Sequence, residues 1–302
     1  MPICEKQHEQ TLKQGPVSKK GSDSPLAPAR PDAAASAGGT GAAQPPPDTW
    51  SHFLQAFRSP AGHLPAPWAD LFGPLRTGTI DELVVVGQIG QSLDGRIATT
   101  SGHSKYINGP AGLTHLHRLR ALVDAVVIGV GTALADDPQL TVRRVAGPNP
   151  ARVIIDPRGR VASGARVFAG DGASRLVLTA EGTKCAVPPE VEVVPLPMID
   201  GRIAPADILA ALAQRGLRRV LIEGGAETVS RFLIAGCLDR LHVMVAPIIL
   251  GAGRASFALP PIERADEAVR IPVRSIQLDG DLLLDCDLSA QRVPIGRAKR
   301  ST

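Results

Sequence analysis

Three stretches of this sequence hold glycines and polar side chains in the crowded pattern that ligand chemistry needs. They are Gln91-Ser-Leu-Asp-Gly-Arg-Ile-Ala98, Gly129 to Asp137, and Ile222-Glu-Gly-Gly-Ala-Glu-Thr228. Gly224 and Gly225 let the backbone approach a ligand closely. A helix opening behind them offers unpaired N–H groups and a partial positive charge to a phosphate. Other chemistry is a poor match. Gly129-Val-Gly-Thr-Ala-Leu134 resembles a dinucleotide fingerprint, but Leu134 occupies its third small position and Pro138 cuts the helix short. Asp156, followed by Pro157, is a poor partner for a ribose, so a Rossmann domain is rejected. His115 and His117 stand at i, i+2 of a predicted helix and point to different faces, with no cysteine or carboxylate at zinc spacing. They read as surface histidines, and no metal site is expected. The deaminase signature, a His or Cys two residues before Glu with a later P-C-x-x-C, is absent.

Each of the three stretches follows a predicted strand, where ligand sites form in α/β sheets. The apolar run Leu83 to Ile89 predicts the first strand, and Asn108-Gly-Pro-Ala opens a helix through Val123 with Leu113, Leu116, Leu119 and Val123 as its buried face. Strands follow at Ala125 to Gly129, Arg152 to Ile155 and Arg175 to Thr179. A helix at Ala206 to Arg215, a strand at Arg219 to Ile222, a helix to Ala235 and a strand at Arg240 to Ala246 come next. This alternation predicts a mostly parallel α/β sheet with helices on both faces. Val273 to Leu278 and Leu282 to Leu288, joined by Asp279-Gly280 as a type I′ turn, predict an antiparallel hairpin at its edge.

Upstream, residues 1–48 are rich in Pro, Ala, Gly and Ser and hold too little apolar surface to offset the entropy of ordering them. Disorder is expected there. In residues 49–80, Trp50, Phe53, Leu54 and Phe57, then Trp68, Leu71, Phe72 and Leu75, predict two short amphipathic helices. That segment docks either on the compact domain expected over residues 81–290 or on a partner protein. The 33 basic and 29 acidic residues leave a formal charge of +4, with Arg292, Arg297, Lys299 and Arg300 read as a solvated basic tail over 291–302 rather than a nucleic-acid footprint. Four scattered cysteines predict reduced thiols, and neither a leader nor a membrane-length apolar run is found, so a cytoplasmic protein is expected.

Taken together and in order, SLDGRIAT, SGHSKYI, LHRLRA, VGTALADDPQLTVR, RVIIDPRGR and LIEGGAETVSRFL resemble the reductase domain of the bifunctional riboflavin-biosynthesis deaminase/reductase, from about Leu83 to Leu288. The resemblance implies a dihydrofolate-reductase-like fold and NADPH as cofactor. It implies cofactor contacts at Gly90, Tyr106, Thr132, Asp136, Gly225, Ala226, Glu227 and Thr228, and substrate contacts at Ser104, Arg120, Leu140, Arg143 and Glu223. Arg120 and Arg143 suit a substrate phosphate, since the guanidinium fork matches it bidentately. Asp136, the candidate catalytic residue, reads as an anchor for cofactor or substrate rather than a general acid. Gln88 stands where the bacterial bifunctional enzymes usually carry lysine.

The activity implied is NADPH-dependent reduction of the ribosyl group of 5-amino-6-(5-phosphoribosylamino)uracil to the ribityl form, in a homodimer, with deamination supplied by a separate protein. The alternatives are the 2,5-diamino-6-ribosylamino-pyrimidinone 5′-phosphate reductase, a paralogue in secondary metabolism, and a non-catalytic nucleotide-binding regulator.

Overall fold

The computed structural model describes residues 48–59, 62–78, 81–105 and 107–295. The tail expected to be disordered lies outside the described residues up to position 47, as do Tyr106 and residues 296–302. In chain order the elements are α1 (Asp48–Arg58), α2 (Ala69–Phe72), β1 (Val84–Ser92), β2 (Arg96–Thr99), α3 (Pro110–Leu122), β3 (Ala125–Gly129), α4 (Val130–Asp136), β4 (Ala151–Ile155), β5 (Arg175–Ala180), β6 (Glu192–Leu196), α5 (Pro205–Ala213), β7 (Arg219–Glu223), α6 (Ala226–Ile234), β8 (Arg240–Ala246), β9 (Gly253–Ala255), β10 (Val273–Leu278) and β11 (Asp281–Asp287).

Nine strands form one sheet in the order β10-β11-β8-β1-β7-β3-β4-β5-β6. From β8 to β6 every neighbour is parallel, and β11 and β10 add antiparallel strands at one edge. A separate antiparallel ribbon pairs β2 with β9. Successive side chains of a strand point to opposite faces, and the central strands are apolar on both. Val85 and Val127 join Leu209, Val229 and Phe232 beneath α5 and α6. Val84, Val86, Val126 and Ile128 join Leu119, Leu122 and the aromatic residues of α1 and α2 on the other face.

Those aromatic residues pack on the chain's own sheet. Phe53 and Phe72 are fully buried, and Trp50, Phe57, Trp68, Leu71 and Leu75 are buried beside them. Trp50 meets Trp68 edge-on at 6.0 Å, and its indole N–H donates to the Ala146 carbonyl at 2.8 Å.

Several expectations need correction. His115 and His117 are buried, not on the surface, while Leu113 is exposed and faces the cleft described below. Arg292 is buried and ion-paired with Asp81 and Asp239 rather than lying in a solvated tail. In the hairpin turn only Gly280 has positive φ, at 80°, so the turn is not type I′, which needs positive φ at both central residues. Strands β2, β6 and β9 gave no sequence signal. They are short, and β6 carries Pro195, tolerated because β6 is an edge strand paired only to β5. No helix among the described residues is long and apolar enough to cross a membrane.

Candidate active site

The carboxyl ends of β1, β7, β3 and β4 open onto a cleft of about 1300 Å³. That is large for one small molecule and suited to two ligands side by side. Gln88, Gly90, Ser104, Thr132, Asp136, Leu140, Glu223 and the start of α6 line it.

The start of α6 is built to leave donors free. Gly224 has φ +97°, and a Cβ there would stand 3.0 Å from the Thr132 hydroxyl. Gly225 donates its N–H to that hydroxyl at 3.1 Å. The helix has no side-chain cap at Gly225, and the N–H groups of Ala226 and Glu227 have no protein acceptor among the described residues. An uncapped N-terminus beside a glycine turn fits the pyrophosphate of a dinucleotide, whose charge the helix end favours. Thr132, Gly225, Ala226, Glu227 and Thr228 are therefore gathered in one place. Asp136, at the end of α4, is exposed on the same cleft.

Beyond α4 the chain is strained. Asp137 and Leu140 take left-handed conformations, φ 39° and 55°, although neither is glycine. Such outliers cost of order 1–3 kcal/mol and persist where surrounding contacts over-determine them. Here Leu140 is buried and the Asp137 carboxylate accepts the Arg166 N–H at 2.8 Å.

On the opposite wall α3 delivers Arg120 beneath the cleft. Arg120 is not an open fork for phosphate. Its guanidinium grips Glu223 through both carboxylate oxygens, at 2.9 Å from Nε to Oε2, and donates to the Thr141 carbonyl at 3.0 Å. Both partners are buried. The pair holds the Glu223 carboxylate at the cleft wall, in register with Gln88 on β1. Gln88 is itself buried and neutral, so Arg120 supplies the positive partner of Glu223.

Arg143 is exposed, with its guanidinium bonded only to the Thr141 hydroxyl at 3.1 Å. Burial first, and then the charges of Arg120, Arg166 and Arg144, pull its pKa below the ordinary arginine value. That crowding of cations is what an anion would relieve. The Arg143 backbone N–H donates to His117 Nδ1 at 3.1 Å. Burial, followed by Arg120, Arg143 and Arg144, lowers His117 to about 4, so the ring stays neutral and can accept. His117 thus fixes the backbone of Arg143, a role invisible in its i, i+2 spacing.

Asn108 was also missed. It crosses above Gly90, where a Cβ would collide with its side-chain oxygen, and donates to the Met244 carbonyl at 3.2 Å. The sequence signal was present, since a residue larger than glycine at position 90 would displace Asn108 from the cleft. Among the residues expected in the site, Arg120 and Arg143 do not line the cleft itself, and Tyr106 lies outside the described residues.

Comparisons with known proteins identify the family. The family model described as RibD C-terminal domain matches residues 83–283. The 2,5-diamino-6-ribosylamino-4(3H)-pyrimidinone 5′-phosphate reductase of Methanothermobacter thermautotrophicus is 34% identical over 218 residues, covering 67% of this chain and 96% of the relative. The riboflavin biosynthesis protein RibD of Aquifex aeolicus is 32% identical, and the match covers 64% of this chain but only 54% of that protein. The crystal structure of the diaminohydroxyphosphoribosylaminopyrimidine deaminase/5-amino-6-(5-phosphoribosylamino)uracil reductase of Thermotoga maritima superposes with a TM-score of 0.59 at 32% identity, covering 68% of this chain and 56% of that one. The chain thus spans nearly all of a stand-alone reductase and about half of the bifunctional proteins, and it belongs to the RibD C-terminal domain family, the reductase part of the riboflavin-biosynthesis proteins.

Proposed function

We propose that this chain is an NADPH-dependent reductase that converts the ribosylamino group of a phosphoribosylaminopyrimidine to ribitylamino. The carrying observation is the single cleft that joins the uncapped start of α6 to the Arg120–Glu223 wall. When bound, the reduced nicotinamide supplies the hydride for the sugar carbon. The chain's own residues bind and orient. Ala226, Glu227 and Thr228 at the α6 start, with Thr132, hold the cofactor phosphates. Glu223, held in place by Arg120, accepts hydrogen bonds from pyrimidine N–H or ribose hydroxyl groups. Arg143, steadied by His117, takes the substrate phosphate, and Ser104 and Leu140 complete the substrate side. Asp136 is an anchor at the junction of the two halves.

Two pyrimidines compete. The aminouracil follows from the match to the bifunctional proteins, whose solved relative is named for that reduction. The diaminopyrimidinone is favoured by coverage, because the archaeal reductase named for it matches over 96% of its length. The reading also carries two partners, a second copy of this chain and a separate deaminase. Loss of the reduced-nicotinamide absorbance, followed with each pyrimidine phosphate in turn, tests the proposal. Turnover with one of them is expected, and tight NADPH binding without turnover of either would replace the enzyme with a nucleotide-binding regulator.

A further inference from the structure

Asp281 is a buried carboxylate that the site described so far does not use. It opens β11, and among the described residues no cationic side chain pairs with it. A buried charge needs compensation, and here the start of α3 supplies it. The carboxylate accepts the Gly109 N–H at 2.9 Å, and the Gly112 N–H and the Asn108 side chain donate to it as well. Burial raises its pKa above the ordinary value, against the opposing pull of those bonds.

α3 has no cap of its own. Gly109 at the N-cap offers no side chain, and Pro110 fills the first helical position. The N–H groups of the N-cap and of the third helical residue are the two that a capping box satisfies, and Asp281 takes both from the neighbouring strand β11. This accounts for a glycine inside a helix. A Cβ at Gly112 would stand 2.6 Å from the Asp281 carboxylate and 3.1 Å from Met244 Cγ, so α3 forgoes the better helix former to admit the carboxylate.

Asn108 joins this cap to the cleft. It lines the cleft, and its side-chain oxygen lies over Gly90, where a Cβ would collide with it. Its amide nitrogen donates to the Met244 carbonyl at 3.2 Å, and Met244 is the β8 partner of Gly90. A backbone carbonyl and an ionised carboxylate only accept, so Met244 and Asp281 both require the nitrogen of the carboxamide. The oxygen is left to face Gly90. A carboxamide in place of Asp281 would donate as well as accept, and the orientation of Asn108 would no longer be fixed.

We propose that Asp281 is a positioning residue for the reduction: it caps α3 and turns the Asn108 carboxamide so that an acceptor, not a donor, faces the cleft at Gly90. This rests on the reductase reading above, in which Gly90 borders the cofactor.

Two measurements on the full chain test it: amide hydrogen exchange by NMR without ligands, and kcat per folded protein with NADPH and each pyrimidine phosphate at saturation. In D281N the Gly109 and Gly112 amides should exchange about tenfold faster, as a charge-assisted acceptor is lost. D281N and N108A should each lower kcat about tenfold, because small displacements beside the reacting atoms are costly. The double variant should be no slower than N108A, since both changes remove one interaction. G112A crowds the carboxylate without removing it and should also lower kcat, which keeps the test open if D281N does not fold. Unchanged amide exchange in D281N, wild-type kcat in D281N or in G112A, or a double variant about a hundredfold slow overturns the assignment while the reductase reading stands. A wild-type chain that turns over neither pyrimidine overturns both.

Discussion

Helix α3 carries the same pair of residue types twice, and the two copies serve opposite sides of the molecule. His115 and Arg118 face the aromatic segment. The His115 ring stacks on Phe72 at 5.5 Å and its Nε2 lies 2.9 Å from His242 Nδ1, while Arg118 sits 4.0 Å over the Trp68 ring. His117 and Arg120, two positions further on in each case, face the candidate site and make directed hydrogen bonds to Arg143 and Glu223. Packing surrounds the first pair; charge and geometry define the second. Identical chemistry placed just over half a helical turn away is thereby divided between stability and function.

The largest break in that comparison is Arg120→Met. It strips a buried carboxylate of its ion-pair partner, and removing one member of a buried pair costs about 3–5 kcal/mol. Turnover should fall with stability, because Glu223 would lose the two hydrogen bonds that fix its carboxylate at the cleft wall. Urea denaturation and reductase assay on the same preparation check both. Retained turnover would show that the pair is structural only.

How much of this was legible beforehand differs between the two regions. The Gly224-Gly225 turn was marked by its paired glycines and the sheet by runs of valine and isoleucine, whereas nothing in the residue types of Asp137 and Leu140 marked their left-handed backbone. The faces of α3 were not. Histidine and arginine alternate there with leucine and read as solvated, because their burial depends on Trp50, Trp68 and Phe72 arriving from more than forty positions upstream. Arg120 was recognisable as important, but its partner was not, since an arginine that grips a carboxylate and one that awaits a phosphate look alike in a sequence. His117 is the clearest loss. Its value lies in one ring nitrogen meeting a backbone N–H, for which spacing holds no signal.

Phe72→Ala probes the packing side alone. Phe72 is fully buried and touches Trp50, Phe53, Trp68 and His115, so the cavity should cost about 3 kcal/mol or slightly more. The KM values for cofactor and pyrimidine should stay within about twofold. A large rise in either would mean that the aromatic segment shapes the cleft through α3.

Acid separates the two histidines more gently. His115 is held well below its ordinary value by burial, then by His242 and Arg118, and His117 is lowered to about 4. Above the unfolded value near 6.5, neither state binds these protons and the stability is fully present. Below it the unfolded chain gains protons that the folded chain refuses, so each histidine removes about 1.4 kcal/mol per pH unit. The share of His117 ends near pH 4, whereas that of His115 continues lower. His117→Gln should flatten the slope of unfolding free energy between pH 6.5 and 4 by that amount. An unchanged slope would mean that His117 is protonated in the folded protein, leaving no acceptor for Arg143.

The smallest effect should come from Arg118→Met, the same substitution as the largest one, two positions away. Stacking of a guanidinium on tryptophan contributes about 1 kcal/mol, more when water is excluded, and methionine retains much of the contact with the rings. Against the lost cation–π attraction stands a gain, because Arg118 Nε is buried with no hydrogen-bond partner, and burial lowers the pKa of the side chain to about 10. Methionine removes that unsatisfied donor along with the charge, so the two terms oppose and the net change should stay within about 1 kcal/mol. Turnover should be unaltered. If Arg118→Met instead cost as much stability as Arg120→Met is expected to, the ring contact would be as essential as an ion pair, and the two faces of α3 would differ in partner but not in strength.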